Sequence, residues 1–425
     1  MKTAIYSLLA MLLAMSISCE NTFKTGDEYT EYLNHTPDLK SQLEDALFWT
    51  NKINKTPNQH PYYVKRANVY SSLFDLTAKI EYLKLAEADL NKAVELTQNR
   101  EPGYLRSLAS NYISQHRFKE ALTLLEDAEN IGDGLLATQK MLFDVHLELG
   151  NYSLAEKQLD AIRNDGGFDY FIRVAKWEDH KGNLDNAIFN MEKATKIAES
   201  SNLSSLKYWS YTNLADFYGH AGEIEKSYNH YLKALELKPE DAYAKKGIAW
   251  ILYSHENKVS DANDIIDHCL SYYKSPDLYL LKAEISEYSG NAVEKETALN
   301  QYKLLSKDEN YGDMYNAYDI AIFIDEIKQP EVALEIAKVE VENRPTPMAY
   351  DLLAWSYFNL GETEKAIEII DDKVYGKTFE PVALFHMANI YKNVNRAEIV
   401  QEMKKELLAS SYELGPVTTS KIKTL

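Results

Sequence analysis

Ten histidines, two cysteines and 65 acidic residues are enough raw material for several kinds of catalysis, so their spacing decides what they can do. There is no H-E-x-x-H, and no histidine pair falls at metal-ligating helical spacing. Asp261, Asp264 and Asp267 share one helical face beside His268. A cation could sit there, but carboxylates on one face are ordinarily solvated. Asp371 and Asp372 read as a helix end rather than a working carboxylate pair. Cys269 occupies the place that Ala128, Ala194 and Ala234 hold in neighbouring stretches, which marks a small core residue and not a nucleophile. No glycine loop is built to cradle phosphate, and there is no G-x-S-x-G. The expectation is a protein that is not an enzyme and carries no cofactor.

What remains is binding, and the composition limits to what. Tyrosine is abundant, at 31 of 425 residues, with five tryptophans. The net charge is -19, which argues against nucleic acid, because phosphate binding needs a basic surface. Cys19 and Cys269 are too few for a disulfide framework or a cysteine zinc site. A hydrophobic content of 45% supplies a sizeable core.

The first residues form a separate unit. Lys2 precedes an apolar run from Ala4 to Met15, too short to span a bilayer comfortably and laid out as an export signal over residues 1–18. Ser16-Ile17-Ser18-Cys19 resembles a bacterial lipobox, with Ser16 where that motif usually has Leu. The resemblance implies lipidation of Cys19, a bacterial source, and a membrane-anchored protein. Glu20, in place of the Asp associated with inner-membrane retention, favours the outer membrane. Residues 19–38 then read as a polar tether, followed by a lone helix from Leu39 to Asn54.

Beyond it the chain repeats. The clearest unit runs from Tyr208 to Asp241. Tyr211, Ala215 and Tyr218 form one helical stripe, Gly222 ends that helix, Ser227, Tyr231 and Ala234 form the facing stripe, and Pro239 stops the second helix. This spacing resembles the 34-residue tetratricopeptide pattern. The same grid recurs, with units at Ala109 and Ala121, Ala175 and Ala187, Ala321 and Ala333, and Ala354 and Ala366 among them. About ten hairpins are expected between Pro61 and Glu413. The resemblance implies an all-α, right-handed superhelical solenoid of tetratricopeptide-type helix-turn-helix repeats with a concave inner face. A phase irregularity at Ser200–Ser205 fits a bend or a boundary between two blocks, 39–200 and 201–413, with a loose tail over 414–425.

In that family the first helix of each hairpin lines the groove. Reading the stripe about 100° from the core stripe places Trp209, Tyr243, Trp250, Tyr253, Tyr315, Tyr318, Trp355, Phe358 and Phe385 there. The corresponding N-terminal positions are polar, including Arg106, Lys140, Asp144 and Asp179. Large rings outside a core stripe mark binding surfaces. Two functions fit: an envelope scaffold holding a protein or peptide partner, or a surface lipoprotein capturing glycan.

Overall fold

The structure, a computed structural model, describes residues 23–163 and 166–425. The export signal and Cys19 lie outside the described residues. Among the described residues, every regular element is helical. Helix α1 (Lys40–Lys55) precedes ten antiparallel pairs, hairpins 1 to 10. The first five are α2 and α3 (His60–Thr77, Ile80–Leu96), α4 and α5 (Pro102–Ser114, Phe118–Ile131), α6 and α7 (Leu135–Glu148, Tyr152–Ala161), α8 and α9 (Phe168–His180, Leu184–Ser201), and α10 and α11 (Ser204–His220, Ile224–Leu237). The second five are α12 and α13 (Ala242–Trp250, Val259–Tyr272), α14 and α15 (Pro276–Tyr288, Ala292–Ser306), α16 and α17 (Asn316–Asp325, Pro330–Asn343), α18 and α19 (Pro347–Asn359, Thr363–Ile369), and α20 and α21 (Pro381–Asn393, Ala397–Ala409). Helix α22 (Ser411–Ile422) closes the chain.

Small residues let the paired helices approach. Ala109, Ala121, Ala215, Ala234, Ala354 and Ala366 are wholly buried at the crossings, and larger neighbours such as Leu125 and Met191 fill the space around them. Each hairpin turns through one residue in the left-handed region. Glycine serves at Gly222 and Gly361, with φ of 73° and 84°. Where glycine is missing, Ala78, His116, Asn257, Lys328 and Asn395 adopt the same conformation, which asparagine tolerates and which strains the other three. The turn geometry is therefore constant even where the sequence signal fades.

The array winds back onto itself after roughly six hairpins. The Lys274 amide ahead of hairpin 7 donates to the Thr77 carbonyl of hairpin 1 at 2.8 Å. Ile80 and Leu83 share an apolar cluster with Tyr311. Gly150 faces the Pro345 carbonyl so closely that a Cβ would lie 3.1 Å from it, and the Phe379 ring covers Gly182. Arg344 reaches back to Glu148 at 3.1 Å.

Four expectations are corrected. The boundary expected at residue 200 is bridged, since Met191 and Ala194 share one cluster with Leu214 and Tyr218. The segment read as a tether is docked from Phe23 onward. The Tyr228 hydroxyl donates to Glu28 at 3.1 Å, the Lys245 ammonium donates to the His35 carbonyl at 2.9 Å, and Tyr29 and Tyr32 join the central core. The tail read as loose is α22, whose Leu414 and Ile422 are buried, with Gly415 at φ 74° bending it. In hairpin 8 the core stripe is Ile320 and Ile324, and Ala321 is exposed.

Candidate functional site in the concave groove

The first helices of hairpins 5 to 8 bring one stripe of each repeat to a common cavity of about 410 Å³. Its wall follows the repeat length. Asp216, Trp250, Glu284 and Tyr318 lie 34 residues apart in sequence and all line the cavity. A second column one helical heptad earlier supplies Tyr243 and Asp277. Tyr412 and Glu413, from the start of α22, close one side.

The polar groups are tied to one another. Asp216 accepts from the Tyr231 hydroxyl at 2.5 Å and the Tyr243 hydroxyl at 2.6 Å. Burial still pushes its carboxyl above the usual range against those two donors. Lys246 pairs with Asp277 at 2.8 Å. Burial alone would raise Asp277, but the Lys246 charge and the Ser275 hydroxyl hold it below the usual range. The Trp250 indole N–H donates to the Tyr412 carbonyl at 3.1 Å, and the Ser254 hydroxyl donates to the same oxygen at 2.6 Å. The Tyr412 ring lies against Gly219, where a Cβ would approach it to 3.0 Å.

Glu284 accepts from the Tyr253 hydroxyl at 3.1 Å. Desolvation pushes its carboxyl up to about 7 from 4.5, with Glu287 adding to the rise and the Tyr253 bond and Lys421 opposing it. Its folded form thus holds a proton that the unfolded chain releases at lower pH. This contribution to stability is complete below about 4.5 and is lost as pH rises to about 7. Glu284→Gln is expected to melt with the parent at pH 4.5 and above it at pH 8. Equal melting temperatures at both pH values would refute the assignment.

Of the nine aromatic residues expected on the groove, Tyr243, Trp250 and Tyr318 meet in this cavity. Trp209 lines an adjoining cavity of about 620 Å³ together with Tyr243. Tyr315 packs edge-on against Tyr302 and Tyr311. Trp355, Phe358 and Phe385 form a separate group on hairpins 9 and 10, with Trp355 stacked on His386 at 4.4 Å and Phe358 at 5.4 Å. Tyr253 is the exception, being fully buried in the core. The backbone over Ile251–His255 closes i to i+5 bonds, as from the Glu256 amide to the Ile251 carbonyl at 3.3 Å. The extra residue per turn rotates Tyr253 off the groove stripe. On the N-terminal half, the polar positions neutralise one another, with Lys140 on Asp169 at 2.8 Å and Lys176 on Asp144 at 3.2 Å.

Asp277, Glu284 and Tyr412 line the cavity without having been expected from the groove stripe. The first two were detectable, since they sit 34 residues beyond Tyr243 and Trp250. Tyr412 comes from outside the repeats and carries no such signal. Asp267 pairs with Lys282 at 2.5 Å, Asp371 accepts Arg396 through both oxygens at 2.8 Å, and His268 lies 3.0 Å from Lys245. Cys269 is fully buried, and burial pushes its thiol up to about 12. Among the described residues no group of three or more His, Cys, Asp or Glu is placed to hold a metal, and no helix is long and apolar enough to cross a membrane.

The curated proteins contain no significant relative of this chain. Among solved structures it is similar to the human IFIT1 dimer with PPP-AAAA, at 14% identity over 76% of this chain and 75% of that one, with a TM-score of 0.48. It is also similar to a tetratricopeptide repeat protein from Parabacteroides merdae, at 16% identity over 56% of this chain and 94% of that one, TM-score 0.39. A third is YrrB, described as a TPR protein with an unusual peptide-binding site, at 21% identity over 46% of this chain and 95% of that one, TM-score 0.27. Two segments, residues 210–241 in hairpin 5 and residues 349–372 in hairpin 9, match the family model of the tetratricopeptide repeat.

Proposed function

We propose that this protein is a scaffold of the bacterial envelope, held to the membrane by lipid on Cys19, that grips an extended segment of a partner protein in the groove of hairpins 5 to 8. The observation that carries the reading is the convergence of the repeat-spaced columns on one cavity. There Tyr243 and Tyr318 remain 46% and 47% exposed, although burial of such rings is worth kilocalories. Rings of this kind are the usual anchors of protein interfaces. The tetratricopeptide matches at hairpins 5 and 9 support a partner-binding role, because repeat arrays present extended concave surfaces to their partners. Tyrosines beside carboxylates also accept sugar hydroxyls, so glycan capture is the second reading.

The test is crosslinking from intact membranes followed by mass spectrometry. Tyr243→Ala with Tyr318→Ala is expected to remove the captured partner while helical content stays unchanged. Trp250 is a poorer target, since its indole also holds α22. Cys19→Ala is expected to move the protein out of the membrane fraction. A partner retained by the double variant would sink the groove reading. Retention on polysaccharide gels, lost in that variant, would favour glycan.

A further inference from the structure

We infer that the cavity receives a positively charged side chain, the ammonium of a lysine or the guanidinium of an arginine, carried by the partner segment; this rests on the groove being the partner site. Four carboxylates line the cavity, those of Asp216, Asp277, Glu284 and Glu413, against one lysine, Lys246. Three of the four are engaged. Asp277 holds Lys246, Asp216 accepts two phenols, and Glu413 lies 3.6 Å from His220. Glu284 differs. One oxygen accepts the Tyr253 phenol, and among the described residues the other takes no hydrogen bond. Among the described residues no ammonium or guanidinium lies within ion-pair distance of it. A carboxylate partly removed from water with an open oxygen gains most from a charged donor.

The walls match that donor. Tyr243, Trp250, Tyr318 and Tyr412 line the same space, and the faces of such rings attract cations. The chain already makes this pairing internally, with the Lys238 ammonium 3.7 Å from the Tyr208 ring centroid. Leu280 and Leu281 supply apolar surface for the methylenes of a long basic side chain. The cavity of about 410 Å³ far exceeds the ~30 Å³ share of one water. An anion would meet four carboxylates. A neutral sugar would make no use of the excess of carboxylates over Lys246. The net charge of -19 draws basic segments toward the protein.

The experiment uses the full chain, immobilised, and a library of acetylated octapeptides. One position is fixed in turn as lysine, arginine or norleucine. Lysine and arginine peptides are expected to be retained at least tenfold over norleucine, roughly 1.4 kcal/mol, and Glu284→Gln is expected to abolish that preference. Retention without a charge preference would overturn the cation assignment and leave the groove reading standing. Retention no better than that of the Tyr243→Ala, Tyr318→Ala variant would overturn both. A preference that survives Glu284→Gln, with the variant's melting curve intact, would overturn the role of Glu284.

Discussion

Arg66→Ala is expected to lower the unfolding free energy by about 3 to 5 kcal/mol, the cost of stranding one member of a buried ion pair. The Arg66 guanidinium meets Asp89 in a two-pronged contact, 2.7 Å from Nε and 2.6 Å from the terminal nitrogen. It also donates to the Thr50 hydroxyl at 2.9 Å. One side chain thereby ties α1, α2 and α3 together. Asp89 is only 4% exposed, so water cannot replace the lost donors. Urea midpoints measure the effect, and pairing Arg66→Met with Asp89→Leu is expected to restore most of the loss, because the second change removes the stranded charge. A loss below about 1 kcal/mol for Arg66→Ala would mean that the pair relaxes into solvent.

His386→Ala is the second large effect. Asp351 is wholly buried, its Oδ2 takes the His386 ring nitrogen at 2.7 Å, and among the described residues its Oδ1 has no hydrogen-bond partner. Removing the imidazole leaves the entire carboxyl unsatisfied and deletes the plane on which Trp355 stacks. A loss of about 3 kcal/mol is expected, with a red shift of tryptophan emission as Trp355 meets water. His386→Asn is expected to recover part of the stability through its amide donor but none of the stacking. Unchanged emission in the alanine variant would show that Trp355 is held by Phe358 alone.

The solenoid was readable because its determinants are local. An alanine at each helix crossing and a turn residue after each first helix recur at fixed spacing, and Ala109, Ala215 and Ala354 were found on that basis. The groove was half readable. Tyr243, Trp250 and Tyr318 follow the helical period, whereas Tyr253 does not, because one wide turn shifts the register. The two ends were read wrongly for a common reason. Tyr29 and Tyr32 form a segment too short to show a period, and the Gly415-Pro416 pair reads as a break. Both segments are ordered by contacts with residues far away in sequence, such as Tyr228 with Glu28 and Trp250 with Tyr412. No local pattern records such partners.

Arrays of this kind ordinarily grow and shrink by whole units, because each unit touches only its neighbours. The closure between successive turns removes that freedom. Thr77 is matched to Lys274, Gly150 to Pro345 and Gly182 to Phe379. Duplicating or deleting one hairpin between these partners would slide all three matches at once, setting side chains against turns that have no room for them. The spacing between these partners is thus a locked trait of this protein, and within it what the groove holds can diversify only by substitution along the columns.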